Sequence, residues 1–457
     1  MTANLMPLSD PQIDNITAAP AHSRPESTEE HAPGWNAATR VLFRFCFVYF
    51  GVYVLTTQML AAMMPWPSWR FPPLETLPPI LPVLMWSATH VFGIAATPVV
   101  ISGSGDKYLN WIAVLSLLAI SLVAATLWSV LDRRRPARAD VALFEWFRVF
   151  VRFALGATMI TYGFQKVMPL QMSFPQLSRL VEPFGNFSPM GVLWNSIGAS
   201  PAYERFVGSA EVLGGVLLFV PRLTLLGSLV CLIDASEVFA LNMTYDVPVK
   251  LLSFHLLLMA LFLAAPDAPR LLNVLVRNRP ALPRADPPLA HRRARQRLLV
   301  GAQIVFGLWL VGFHLLGASR SWRRSVGAPT PPLYGIWNVE DMTIDGQSRP
   351  SLVTDQAGWR RIIVQSPNAV RFQRMDDGFV DYGAKIDDGV RLLTLTKPVD
   401  PAWRATFSIE QQSPILLTLD GTMDGHPTRF SLRRIDPNQF LLVTQGFHWV
   451  QERPFNR

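Results

Sequence analysis

Long apolar segments between residues 41 and 317 constrain the fold of this chain more than any other feature. Val41–Met64 and Leu109–Leu131 are both longer than the ~20 residues that a helix needs to cross a bilayer. Charged residues make up 16% of the chain, whereas soluble globular proteins average about 25%. The sequence therefore predicts a polytopic membrane protein.

Basic residues between the apolar segments predict how the chain is threaded through the membrane. Residues 78–101 are apolar but rich in proline, and if they crossed, the arginine cluster at 133–138 would lie outside. Loops rich in lysine and arginine stay on the cytoplasmic side, so we expect residues 78–101 to lie on, or dip into, the outer face. About seven spans remain. We expect the protein to lie in the cell (inner) membrane, with its N-terminus in the cytoplasm. The predicted spans are residues 41–64, 109–131, 143–167, 201–220, 223–245, 247–265 and 298–317.

Several classes of protein are excluded or disfavoured by the residue types. Residues 1–37 are polar and rich in proline, and they predict a disordered cytoplasmic tail rather than a signal peptide. The net charge of +8 is spread between apolar segments, a pattern that does not predict nucleic-acid binding. The cysteines, Cys46 and Cys231, form no metal or dithiol motif. No metal site and no evident cofactor are expected.

The composition changes after residue 318. Residues 319–332 read as a linker, and residues 333–457 alternate between apolar and polar side chains. Asp-Gly pairs begin at Asp345, Asp377, Asp388, Asp420 and Asp424, and such pairs favour hairpin turns. We expect roughly eight or nine strands in an up-and-down barrel. Its opening Gly335-Ile336-Trp337 resembles the entry strand of lipocalin-type barrels. The predicted fold class is a polytopic all-α membrane bundle of about seven spans with a C-terminal extracytoplasmic antiparallel β-barrel-like domain.

Ionisable residues inside the apolar segments are the strongest functional signal, because an unpaired charge in a membrane costs at least ~2.5–3.5 kcal/mol. Lys166 and Glu211 are predicted to form one pair, flanked by Gly208 and Gly215, which allow close helix approach. The candidate catalytic residues of this intramembrane polar site are Lys166, Glu211, Asp234 and Glu237, and the candidate binding residues are Tyr162, Asn242, Lys250 and His255.

Non-functional interpretations stay open for the same residues. Lys166 can be an interfacial anchor, and Asp246 precedes Val247-Pro248 as an expected N-cap of the sixth span. Glu211 and Asp234 can form a polar network that only fixes helix packing. His90, His255 and His314 show no spacing of paired axial ligands, which argues against haem.

The motifs Gly-x-x-Lys and Glu-x-x-Gly-Gly, followed by an arginine, resemble the DoxX family over about residues 146–265. Here they are Gly163/Lys166, Glu211/Gly214/Gly215 and Arg222. The resemblance implies a four-helix membrane core, and some DoxX relatives are membrane subunits of sulfur-compound oxidation with quinone as acceptor. The additional spans and the β-domain depart from that pattern.

Three functional hypotheses follow. The first is a membrane subunit of a quinone-linked redox complex with an outward-facing polar site, docked to a soluble redox or periplasmic partner through the C-terminal domain. The second is a non-catalytic protein that binds or transports a small molecule or lipid. The third is a scaffold whose buried charges fix packing. Whether the chain is an enzyme stays open at this point.

Overall fold

The computed structural model describes residues 35–65, 80–95, 102–132, 137–284, 287–349, 352, 354–355, 358–387 and 389–456. The predicted tail up to residue 34, the arginine cluster at 133–135 and the Asp-Gly pair at 388 lie outside these residues. The described chain forms a helical domain followed by a closed antiparallel barrel, called the β-domain here, as the alternating patterns predict.

The helices begin and end close to the predicted apolar segments. They are α1 (Ala37–Thr56), α2 (Gln58–Met63), α3 (Leu81–His90), α4 (Tyr108–Leu131), α5 (Ala137–Val167), α6 (Pro189–Gly198), α7 (Pro201–Phe219), α8 (Thr224–Thr244), α9 (Lys250–Ala264), α10 (Ala268–Leu275), α11 (Arg293–Arg324) and α12 (Leu441–Thr444). Short 3-10 turns occur at Phe184–Asn186, Pro221–Leu223, Ala265–Asp267 and Pro437–Gln439.

Local signals explain several helix boundaries. The predicted cap at Ser200 is confirmed, because its hydroxyl accepts a hydrogen bond from Tyr203 N with Pro201 next in the chain. The first predicted span is interrupted at Thr57, whose extended backbone separates α1 from α2. Helix α3 has 10 residues, about 15 Å, too short to cross a bilayer. Helix α11 continues to Arg324, beyond the predicted end at residue 317.

Membrane-spanning helices are supported by length and composition. Five helical segments in the described part of the chain are long and apolar enough to cross: Ala37–Thr56, Tyr108–Leu131, Pro221–Thr244, Lys250–Leu275 and Arg293–Arg324. Helices α5 and α7 carry more charge, including Arg152 and Glu211, and residues 151–160 of α5 are buried throughout. The count of about seven spans and the orientation of the termini stay predictions.

The β-domain is an up-and-down barrel. Its strands are β1 (Gly335–Ile344), β2 (Gln347–Arg349), β3 (Trp359–Ser366), β4 (Ala369–Arg374), β5 (Phe379–Asp387), β6 (Leu392–Lys397), β7 (Asp400–Ser413), β8 (Leu416–Met423) and β9 (His426–Arg434). Each strand from β3 onward pairs with the next, β1 pairs with β3, and the β1–β9 pairing closes the sheet. Strand β2 is a short addition to β1.

Turn chemistry explains where the barrel strands end. Asp345-Gly346 and Asp424-Gly425 have positive φ at both residues and form hairpins, as predicted. The predicted turn at Asp420 is wrong, because Asp420 and Gly421 lie inside β8. A Cβ at Gly421 would lie 1.9 Å from the Thr406 carbonyl oxygen, so this glycine permits a close approach of two strands.

The barrel interior is packed with side chains. Trp337, Phe372, Phe407 and Phe430 are all fully buried in one cluster with aliphatic residues of the other strands. Trp337 of the Gly-x-Trp motif also donates its indole N–H to the Leu333 carbonyl, at 2.8 Å. Side chains from most strands therefore fill the barrel interior around this cluster, as in other small barrels.

The β-domain rests on the connection between α5 and α6. The Leu177 N–H donates to Gln365 Oε1 at 2.8 Å, and Gln373 Nε2 donates to the Val181 carbonyl at 3.3 Å. Leu177 also joins a small apolar cluster with Ile336 and Ile435 on the outside of the barrel. These contacts place the β-domain directly beside the loop that follows Lys166.

Candidate functional site

Helices α5 and α7 pack in backbone contact along two glycine pairs. A Cβ at Gly163 would lie 2.8 Å from the Gly208 carbonyl oxygen, and one at Gly215 would lie 2.6 Å from the Gly156 carbonyl oxygen. On the other side of α7, a Cβ at Gly214 would lie 2.9 Å from Cys231 Sγ of α8. Helix α7 is thus held tightly between α5 and α8, and only glycine fits at these positions.

The predicted Lys166–Glu211 pair is present at this close contact. Lys166 Nζ donates to Glu211 Oε1 and Oε2 at 2.7 and 2.8 Å. Their side chains are only 6% and 4% exposed. The pair satisfies two charges that would be costly if left alone in an apolar bundle, and in this conformation neither group is accessible to a substrate.

Asp234 and Glu237 complete what we call the polar layer, together with Lys166 and Glu211. Asp234 is half-buried and interacts electrostatically with Lys166 and Glu211. Its Oδ2 is buried and has no hydrogen-bond partner within the described residues. Glu237 is exposed on the surface of α8, close enough to Glu211 to repel it. The four predicted residues therefore come together, with three carboxylates and one ammonium.

The predicted binding residues divide between two places. Tyr162 interacts with Gln58 and with Glu211, so it borders the polar layer. Asn242 is buried, and its Nδ2 donates to Ser253 Oγ at 3.0 Å, which ties α8 to α9. Lys250 and His255 lie on α9 and line a separate groove.

This groove is a cavity of about 1470 Å³ between α1, α4, α8 and α9. Apolar residues form most of its wall, among them Phe50, Phe254, Leu258 and Phe262. Its polar wall residues come from several elements. Lys250 and His255 lie on α9, and Tyr49 lies on α1. Glu145 of α5 and Arg284 lie towards the end of the groove opposite Lys250. Sequence patterns did not reveal the groove, because it forms between helices that are far apart in the chain.

His255 has a defined tautomer in the wall of the groove. Its Nδ1 lies 2.6 Å from the Leu251 carbonyl oxygen, which can only accept, so Nδ1 carries the proton. The Tyr49 hydroxyl therefore donates to Nε2 of the neutral ring, at 2.8 Å. Tyr53 stacks on the imidazole with ring centroids 3.7 Å apart. Tyr49 and Tyr53 were not predicted, since tyrosines in an apolar run give no signal by themselves.

Asp106 is a second residue that sequence reasoning missed, and it corrects the interpretation of Asp246. Asp106 Oδ2 and Oδ1 accept hydrogen bonds from the backbone N–H groups of Lys250 and Leu251, at 2.7 and 3.0 Å. It caps α9 from the loop before α4. Asp246 is not the N-cap, because its φ is 52° and its carboxylate instead accepts from Lys250 Nζ at 2.9 Å.

We expect Asp106→Ala to lower the free energy of unfolding by about 1–2 kcal/mol, the cost of losing an N-cap. Asp246→Asn is the control, because the Asp246 side chain is 86% exposed, such a surface pair contributes about 0–1 kcal/mol, and asparagine tolerates the positive φ at this position. Denaturant unfolding of both variants in detergent micelles measures the difference. Equal effects of the two substitutions would contradict the capping role of Asp106.

Two further buried charged groups lie at the ends of the bundle. Glu204 is fully buried and accepts the Met172 backbone N–H at 2.9 Å, which holds the start of α7 against the loop after α5. Arg44 is 2% exposed and pairs with Asp132 and Asp140 at 2.9 and 3.0 Å. The sequence marked Arg44 only as a topology signal, because its acidic partners are distant in the chain.

The histidines considered as haem ligands at 255 and 314 hydrogen-bond to protein groups. No group of three or more His, Cys, Asp or Glu among the residues described here is arranged to hold a metal ion. His314 Nε2 donates to the Ala62 carbonyl at 2.9 Å, and both nitrogens of His255 have protein partners.

Part of this chain is similar to a bacterial protein. The uncharacterized protein YwoB of Bacillus subtilis (strain 168) is 29% identical over 128 residues, which are 28% of this chain and 79% of the relative. No protein-family model matches the chain, and no solved structure matches it. Because the relative is itself uncharacterized, the similarity assigns no activity.

Proposed function

We propose that this membrane protein binds an amphiphilic, lipid-like molecule in the groove beside α9. The observation that carries the proposal is the groove itself, which at about 1470 Å³ exceeds the ~300–1,000 Å³ of ordinary small-molecule pockets. Helix α9 has 15 residues and offers an apolar wall of about 22 Å. A long hydrocarbon chain matches both the length and the lining.

Polar groups at one end of the groove suit a small head group. The Tyr49 hydroxyl of α1 and the neutral His255 ring of α9 lie in the same wall of the groove. Lys250 lies at the start of α9, before His255. The His255 ring is fully engaged, because Nδ1 donates to Leu251 and Nε2 accepts from Tyr49, but the Tyr49 oxygen can still accept a hydrogen bond from a head group. Lys250 is already engaged by Asp246 and, at 3.9 Å, by Asp106. The end is therefore not cationic overall, which favours an uncharged head group with carbonyl or hydroxyl oxygens.

A quinone-linked redox subunit is the second candidate, and the Tyr49–His255 pair favours it. A quinone has carbonyl oxygens at the end of a long apolar tail, and its reduction requires proton donors inside the bilayer. The Tyr49 hydroxyl would meet that requirement if it turned its proton from His255 Nε2 to a quinone oxygen. The electrons would come from a partner protein, and such a partner for the β-domain stays a prediction.

We also propose that residues 146–265 form a DoxX-like core. The motif residues have clear packing roles in support of this: Gly214 and Gly215 bring α7 against α8 and α5, and Lys166 pairs with Glu211. The cytoplasmic N-terminus and the extracytoplasmic β-domain belong to the same proposal, because they rest on the arginine distribution alone.

The proposal predicts that Leu258→Trp, which fills the groove, reduces the amount of lipid-like molecule that co-purifies with the protein by tenfold or more. Native mass spectrometry of protein released from mild detergent measures that amount and identifies the molecule. Leu213→Trp is the control, since Leu213 is exposed on α7 and does not line the groove.

Wild-type protein without any bound amphiphile, or equal content in both variants, would argue against the proposal. A long-chain benzoquinone among the bound molecules would favour the redox candidate. Phospholipid or another non-quinone lipid as the bound species would favour binding or transport without redox chemistry.

A further inference from the structure

The two ends of the β-barrel differ in chemical character. Strand pairing defines the far end by the turns after Ile344, Arg374, Lys397 and Met423. These turns carry the acidic residues Asp345, Asp376, Asp377, Asp400 and Asp424. The near end holds the start of β1, the end of β9 and the turns after Ser366, Asp387 and Ser413.

Exposed apolar residues occur in turns at both ends, with Val399 at the far end, but exposed aromatic residues lie in the segment that leaves the near end. Val390 and Ile415 occupy two of the near-end turns and are both exposed. The segment after β9 leaves from the same end, because Ile435 N donates to the Ile336 carbonyl at 2.8 Å. In that segment Phe447 is 78% and Trp449 91% exposed. A soluble surface rarely presents aromatic side chains in this way without a partner.

The near end is also the end at which the chain arrives from the helical domain. The chain enters β1 there after α11, and Gln365 beside the near-end turn contacts Leu177 of the α5–α6 connection. Phe440, at the start of the C-terminal segment, packs in the apolar cluster that contains Leu177 and Leu180. The C-terminal segment therefore leaves the barrel at the end that follows α11 and begins beside the α5–α6 connection.

We infer that the C-terminal segment, residues 441–456, lies in the lipid head-group region of the bilayer and anchors the barrel to the membrane surface. Tryptophan and other aromatic residues prefer that region because their rings are apolar while the indole N–H can still reach water or head groups. Val390 and Ile415 would face the same surface. The far end, with its acidic turns, would face water.

A fluorescence experiment tests whether the C-terminal segment lies in the head-group region, whether or not the groove holds a ligand. The full chain carries Cys46→Ala and one new cysteine, from Trp449→Cys or Val399→Cys, labelled with the environment-sensitive fluorophore NBD. Cys231 is fully buried and stays. Val399 is the matched control, because it is apolar and 93% exposed but lies in a far-end turn.

Each labelled protein is placed as a single copy in phosphatidylcholine nanodiscs, with spin-labelled lipid or aqueous iodide as quencher. We expect the lipid quencher to reduce the emission at position 449 at least threefold more than at 399, and iodide to show the reverse order. Equal quenching at both positions by iodide would overturn the inference. Protection of position 449 from both quenchers would also overturn it, since the segment would then be covered by protein.

Discussion

Replacing Lys166 by methionine is expected to lower the free energy of unfolding by about 3–5 kcal/mol, because Glu211 would remain buried without its partner. Glu211 accepts both of its hydrogen bonds from Lys166 Nζ, and the nearby Asp234 and Glu237 add negative charge. Thermal or denaturant unfolding in detergent micelles measures the loss.

The double variant Lys166→Met/Glu211→Met is the control that separates the pair from the shape of the site. Replacing a buried ion pair by apolar side chains of similar size is often neutral or stabilising, so we expect the double variant to regain most of the lost stability. If it stays as unstable as the single variant, the pair does not explain the loss.

The same double variant distinguishes a packing role of the Lys166–Glu211 pair from a role in ligand binding. A folded double variant that keeps its bound amphiphile would assign Lys166 and Glu211 to the packing of α5 and α7 alone. A folded double variant that loses the amphiphile would assign the polar layer to binding. The pair is 6% and 4% exposed, which favours the packing role in the conformation seen here.

Gly208→Ala is the second substitution with a large expected effect. The new Cβ would lie 2.6 Å from the Gly163 carbonyl oxygen and 2.8 Å from Val167 N. Both neighbours are backbone atoms, so α5 and α7 would have to separate, at a cost of about 1–3 kcal/mol. The separation would also strain the Lys166–Glu211 hydrogen bonds, since Lys166 Cβ lies 2.6 Å from the same position.

Gly312→Ala provides the comparison for this effect. Gly312 lies within α11, and a Cβ there would meet no atom within 4 Å. The substitution should stabilise the helix slightly, by up to about 1 kcal/mol, through the better helix propensity of alanine. Equal losses of stability in Gly208→Ala and Gly312→Ala would show that the close contact between α5 and α7 at Gly208 does not cause the loss.

Local sequence signals were sufficient for the elements and for one key contact. Apolar runs and alternating patterns identified the helices and the barrel strands, because each depends on the period of its own segment. The Lys166–Glu211 pair was also predictable, since two opposite charges in adjacent apolar segments have few alternatives to pairing. One Asp-Gly pair of the described residues, Asp420-Gly421, lies in a strand instead of a turn, where the neighbouring strand approaches so closely that only glycine fits.

Sequence patterns were enough to predict a helical membrane bundle with an appended barrel and the pairing of Lys166 with Glu211. The tertiary structure alone decided which groups surround the groove, because Tyr49 and His255 are 206 positions apart in the chain and neither is unusual in its own segment. It also decided that Asp106 caps α9, across 144 positions. Such long-range contacts depend on which helix faces meet, and this is set by packing rather than by the pattern of any one segment.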